Sequence, residues 1–115
     1  MNDTNIVNYE IILNKWIEHC PVGYKEFPCV APNWDNSARG KVCYIVQNDR
    51  PELYGKWLAA ACNRVINNID DERIVFVNAW NEWAEGCHLE PDIKFGRRFL
   101  EITKEVLNKY KRHRH

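Results

Sequence analysis

Three stretches with the apolar spacing of amphipathic helices, separated by two extended apolar runs, fill a chain of 115 residues, and that alternation restricts the fold more than any single motif. Tyr9, Ile12, Leu13, Trp16, Ile17 and Cys20 recur every three or four residues, which predicts a helix ending before Pro21 and Gly23. A second helix should open at Pro51, where the missing N–H is harmless, with Asp49 as its N-cap. Its apolar face is Tyr54, Trp57, Leu58, Ala61, Cys62, Val65, Ile66 and Ile69. A third should start at Pro91 or Asp92 and bury Phe95, Phe99, Ile102, Val106, Leu107 and Tyr110. Between the first two helices, Pro28 and Pro32 force residues 27–34 towards extended geometry. Arg73-Ile74-Val75-Phe76-Val77, rich in β-branched and aromatic residues, reads as an interior strand. The order helix, strand, helix, strand, helix implies an α/β fold with parallel strands. Val42-Cys43-Tyr44-Ile45-Val46 is an apolar run that fits either type of element.

The chemistry-bearing residues follow the two strands. Directly after Val77 come Asn78, Trp80, Asn81, Glu82, Trp83 and Glu85, and directly after the earlier extended segment come Trp34, Asp35, Asn36 and Arg39. In α/β folds, ligand groups gather at the carboxyl ends of strands, so both clusters are expected on one edge. Asparagine supplies hydrogen-bond partners for hydroxyls, tryptophan a flat apolar wall, and glutamate a proton. Two carboxyl groups roughly 5–10 Å apart can divide the proton and nucleophile roles at a glycosidic bond, and Glu82 and Glu85 can reach that range from one loop. From spacing alone they are equally two solvated loop acids, and Trp80 and Trp83 are equally packing residues. Arg39 can hold a carboxylate or phosphate in two-pronged fashion, or pair with Asp35. His88, Glu90 and Asp92 do not follow the ligand spacing of a calcium loop, and no metal is expected there.

Asn81-Glu82-Trp83-Ala84-Glu85-Gly86, followed by Leu89-Glu90-Pro91-Asp92 and Phe95-Gly96, resembles the C-terminal signature of WbsX-type proteins. Pro32-Asn33-Trp34-Asp35-Asn36-Ser37-Ala38-Arg39 resembles that family's Trp-Asp-Asn-x-x-Arg segment, in the right order and at about the right distance. The family is regarded as one of polysaccharide-biosynthesis glycosyltransferases and shares a broad barrel group with glycoside hydrolase family 99. The resemblance covers nearly the whole chain but not the rest of a barrel. It implies that residues 1–115 are the C-terminal part of a (β/α)8 TIM-type barrel, acting in polysaccharide metabolism by glycosyl transfer or glycoside hydrolysis. It further implies that Glu82 deprotonates a sugar 2-hydroxyl and Glu85 protonates the leaving oxygen, with no cofactor. Trp34, Asp35, Asn36, Arg39, Asn78, Trp80, Asn81, Trp83 and Glu90 would then contact a glycan or sugar-nucleotide substrate.

Size agrees with a partial barrel, since a full one takes about 250 residues, whereas 45% apolar residues give this chain a real core. An upstream barrel portion or self-association is the expected partner. A non-catalytic glycan-binding module and an inactive gene remnant are the alternatives. Formal net charge is zero, which points to neither nucleic acid nor an anionic membrane. There is no run long enough for a membrane span and no basic, apolar leader in Met1-Asn2-Asp3-Thr4-Asn5, so the chain is expected in the cytoplasm. The basic tail Lys109–His115 complements a helix C-terminus. Five cysteines, odd in number and without a close pair, are expected as buried or partly buried free thiols.

Overall fold

The computed structural model describes residues 3–19, 22–38 and 42–111, with all their side chains except those of Asp3, Thr4, Val42 and Cys43. The Cys20 position of the first helix and the end of the basic tail lie outside the described residues. The fold is mixed α/β, with strands β1 (Asp3–Asn8), β2 (Cys29–Val30), β3 (Trp34–Asp35), β4 (Val42–Gln47), β5 (Phe76–Val77), β6 (Asn81–Glu82) and β7 (Cys87–His88). Helices are α1 (Tyr9–Glu18), α2 (Pro51–Val65) and α3 (Arg98–Lys109), and single 3-10 turns cover Asp70–Glu72 and Trp83–Glu85.

Helix α2 is the centre of the core. Its Tyr54, Trp57, Leu58, Ala61 and Cys62 form one buried cluster with Tyr9 and Leu13 of α1, Val30 of β2, and Phe99, Ile102 and Val106 of α3. The Tyr9 and Trp57 rings meet edge-on at 5.5 Å, and Tyr54 lies 5.7 Å from Phe99, arrangements that suit the ring quadrupoles. The guanidinium of Arg64 lies 3.7 Å over the Trp16 ring and donates to the carbonyls of Trp16 and His19. It thereby satisfies the carbonyl end of α1 and fastens α1 to α2.

The strands are more numerous than the periodicity predicts. β1 and β4 pair in parallel from Asp3 opposite Val42 to Asn8 opposite Gln47, so Val42–Val46 is a strand. β2 and β5 pair in parallel, Cys29 with Phe76 and Val30 with Val77. The expectation of parallel strands alone is corrected by β3, which runs antiparallel on β4, and by the antiparallel β6–β7 hairpin. Asn36 accounts for the reversal at β3: its side-chain oxygen accepts from the Tyr44 N–H at 2.7 Å, and its own N–H donates to the Tyr44 carbonyl. Nor is residues 73–77 an interior strand. Only Phe76–Val77 pair, and exposure alternates, with Ile74 39% and Phe76 57% exposed while Val75 and Val77 pack on the helical core. That is the period-two signature of a strand covered on one face.

Two helix starts also differ from expectation. Asp49 does not cap α2: the N-cap is Arg50, and the Asp49 carboxylate accepts from Lys94 at 3.0 Å, a bond that holds it below its usual range. Helix α3 begins at Arg98 because Asp92 closes a separate turn, accepting from the Phe95 N–H through its side chain and exchanging backbone bonds with Gly96. Gly96 sits at φ +57, which no helix interior allows. Phe95 therefore precedes the helix and Leu107 is 49% exposed; Ile66 and Ile69 likewise fall past the end of α2 and are exposed. The whole measures 58 × 35 × 20 Å, the thinnest dimension matching one helix layer on one sheet layer.

Candidate functional site

The segment after β5 folds back on itself. β6 carries Asn81 and Glu82, the 3-10 turn carries Trp83 and Glu85, and β7 returns with Asn81 opposite His88 and Glu82 opposite Cys87. The reversal needs a left-handed residue, and Gly86 supplies it at φ +56. The hairpin is latched at its base by bonds from the Leu89 N–H to the Ala79 and Trp80 carbonyls and from the Glu90 N–H to the Trp80 carbonyl.

This acidic turn packs against β3. A Cβ built on Gly86 would lie 3.1 Å from the Asp35 Cβ, so the turn and the Trp-Asp-Asn segment are in direct contact. Beneath the junction, the Cys87 thiol donates to the Asn78 carbonyl, and burial pushes this thiol up to about 11. Asn48, buried, ties the neighbouring strand end: its N–H donates to Asn33 Oδ1 and its amide nitrogen to the Pro32 carbonyl, both at 2.9 Å. Asp35 is on the same side of the sheet as Ile45, its β4 partner, and there Ile6, Asn33, Asp35, Ile45, Asp92 and Lys94 help line a cavity of about 290 Å³. A larger one, about 820 Å³, lies near Tyr24, Lys25 and Asn63, before the start of β2 and at the far end of α2. It lies before the start of β2, away from the acidic turn, whereas the smaller cavity is lined by Asp35 of the Trp-Asp-Asn segment.

Among the predicted residues, Glu82, Asn78, Asn81, Trp80 and Trp83 are exposed, Trp80 at 53% and Trp83 at 49%, whereas Glu85 and Trp34 are half-buried. Trp80 and Trp83 are thus not core residues. Asp35 Oδ1 accepts from the Ser37 N–H and Asn36 holds Tyr44, so both shape their loop. Glu90 accepts from the indole N–H of Trp83 at 3.2 Å. Arg39 lies outside the described residues. His88, weighed in the sequence only as a metal ligand, has a role in the hairpin that sequence reasoning missed. Its ring stacks on Trp83 with centroids 3.6 Å apart and planes 17° from parallel, which no spacing rule for a five-residue separation foretells. Among the described residues no helix is long and apolar enough to cross a membrane.

The cysteines give a direct check of this packing. Cys29 is exposed whereas Cys62 and Cys87 are buried, all three free. With burial raising the Cys62 and Cys87 thiols, alkylation at pH 8 mapped by peptide mass should modify Cys29 and spare the other two. Because the folded Cys87 value exceeds the ordinary 9.0, its contribution to stability is fully present below about pH 9 and is lost as pH rises towards about 11. Melting temperature should fall over that interval, and Cys87→Ala should flatten the fall.

Comparison with known proteins agrees with the motifs. A family model described as glycosyltransferase WbsX matches residues 1–103. Two proteins from strains of Xanthomonas campestris pv. campestris, B100 and ATCC 33913, both described as uncharacterized protein WxcX, are 41% identical to it over 91 residues. Each match covers 75% of this chain and 13% of the relative, so the chain spans a small part of the curated relatives it matches. No solved structure matches.

Proposed function

Because the chain belongs to the glycosyltransferase WbsX family, we propose that it supplies the acidic loop of a carbohydrate site that transfers a glycosyl group during polysaccharide synthesis. In this reading it is the C-terminal sector of a (β/α)8 barrel whose remaining strands come from an upstream portion or from another copy. The observation that carries it is the contact between the Glu82–Glu85 turn and the Trp34–Asp35 strand, which joins the two motifs at the carboxyl ends of β5 and β2. Glu82, exposed, takes the proton from the sugar's 2-hydroxyl as that oxygen attacks the anomeric carbon. Glu85, half-buried, gives a proton to the departing oxygen, and then takes one from the acceptor hydroxyl that attacks the anomeric carbon and opens the ring so formed, while Glu82 returns its proton to the 2-oxygen released. Trp80 and Trp83 offer faces to the C–H surfaces of the sugar, while Asp35, Asn78, Asn81 and Glu90 take its hydroxyls.

The alternative is a glycan-binding module without turnover, favoured by the exposure of Trp80 and Trp83. One experiment separates the two. Mannose oligosaccharides and nucleotide-linked hexoses are titrated against the chain alone and against the chain joined to its upstream portion, following tryptophan fluorescence and product formation. Quenching by both proteins with turnover by the longer one is expected. Binding without turnover by either selects the module, and neither binding nor turnover removes carbohydrate from the account.

A further inference from the structure

The turn that carries the two acids is held by a clamp whose imidazole the proposed chemistry does not use. Trp83 is the first residue of the 3-10 turn that separates Glu82 from Glu85. One face of its indole is covered by the His88 ring at 3.6 Å, and its N–H is engaged by the Glu90 carboxylate at 3.2 Å. The imidazole is itself fixed: Nδ1 lies 3.1 Å from the Glu90 carbonyl and Nε2 lies 3.7 Å from the Asp92 carboxylate. Asp92 is in turn fixed, since it accepts from the Phe95 N–H and closes the turn to Gly96.

We propose that His88 is a positioning residue, setting the plane of Trp83 and through it the shape of the Glu82–Glu85 turn. With one face against imidazole and its N–H on Glu90, Trp83 still keeps 49% of its surface exposed. That is the surface a sugar ring would cover. A tryptophan left free to turn about its side-chain bonds must be ordered when a ligand arrives, and an ordered one is ready. The carbohydrate part of this inference rests on the function proposed above; the clamp does not.

The test separates them. The 115-residue chain is labelled with 5-fluorotryptophan, and the Trp83 fluorine line is identified by its loss in Trp83→Phe. His88→Ala should shift and broaden that line while the Trp16, Trp34 and Trp57 lines stay in place, showing an intact core. His88→Phe, which keeps an aromatic ring against the indole, should restore a narrow line. His88→Gln, which keeps a polar group but no ring, should not. If a mannose oligosaccharide binds, His88→Ala should weaken it roughly three- to tenfold and His88→Phe should recover most of that loss. A Trp83 line unmoved by His88→Ala overturns the proposal, as does a line that Gln restores as well as Phe. A line that responds to His88 in a chain that binds no sugar upholds the clamp and removes the carbohydrate reading instead.

Discussion

With Glu85 as the proposed proton donor, Glu85→Gln, introduced into active protein, should lower kcat by roughly 10²–10⁴-fold, the usual contribution of such a group. The substitution keeps shape and hydrogen-bonding capacity while removing the transferable proton, so helix content and melting should stay near wild type. Glu82→Gln should cost a similar factor by removing the base proposed for the 2-hydroxyl. The two are told apart by the leaving group: an activated donor such as a nitrophenyl glycoside needs no proton on departure. With it, the first-step loss in Glu85→Gln should shrink to within about tenfold, whereas the loss in Glu82→Gln should persist. The double variant should be no worse than the product of the singles, since in the proposed reaction each acid acts on a different oxygen. Wild-type turnover of an unactivated donor by Glu85→Gln would end its assignment as the acid.

The second large effect is on stability. Gly55 faces α3 closely: a Cβ there would lie 2.6 Å from the Ile102 Cγ2, and Ile102 is only 3% exposed. Replacing a helical glycine by alanine normally gains about 1 kcal/mol. Here the added methyl must displace a β-branched side chain in a packed core, and overpacking of that kind costs about 1–3 kcal/mol. The clash therefore wins, and Gly55→Ala should be neutral to about 2 kcal/mol destabilising. Gly55→Val adds two more methyl groups and gives up part of the propensity gain, so a loss of at least about 3 kcal/mol is expected. For a chain of this size that is roughly 10–20 °C in Tm. Combining Gly55→Ala with Ile102→Ala should destabilise by less than the sum of the two, because the second change makes room for the first. A Gly55→Val protein that melts like wild type would mean that the two helices are not in contact there.

Much of the helical layer was legible because burial on a helix repeats every three or four residues. Tyr9, Leu13, Tyr54, Trp57, Leu58 and Ala61 are all in the core. Where the pattern misled, local side-chain chemistry intervened. Asp92 looks like a helix cap and does accept a backbone N–H, but it closes a turn that Gly96 ends in the left-handed region, so α3 starts six residues later. β1 was unreadable for a different reason: Asp3–Asn8 contains only two apolar residues, of which Ile6 is 66% exposed, and its pairing with β4 is a matter of backbone bonds. The acidic turn and the Trp-Asp-Asn segment could be placed on one edge by the rule for strand ends, and the structure brings those two segments into contact. The partner of Trp83 could not, because His88 reaches it only through the reversal at Gly86.

The hairpin latch has an evolutionary reading. Because Ala79 and Trp80 are tied to Leu89 and Glu90 by backbone groups, the eight residues between them meet at a base that needs no particular side chain. Closing so short a loop costs little entropy, and lengthening it costs only slightly more. Such a segment behaves as an exchangeable cassette: acids can be respaced and aromatic residues replaced within it while α1, α2 and α3 keep their packing. Two positions resist that freedom, and one is Cys87, buried with its thiol on the Asn78 carbonyl. The other, residue 86, must tolerate positive φ and bring no side chain against Asp35, so grafts that keep glycine there should be accepted and those that lose it should lift the cassette off β3.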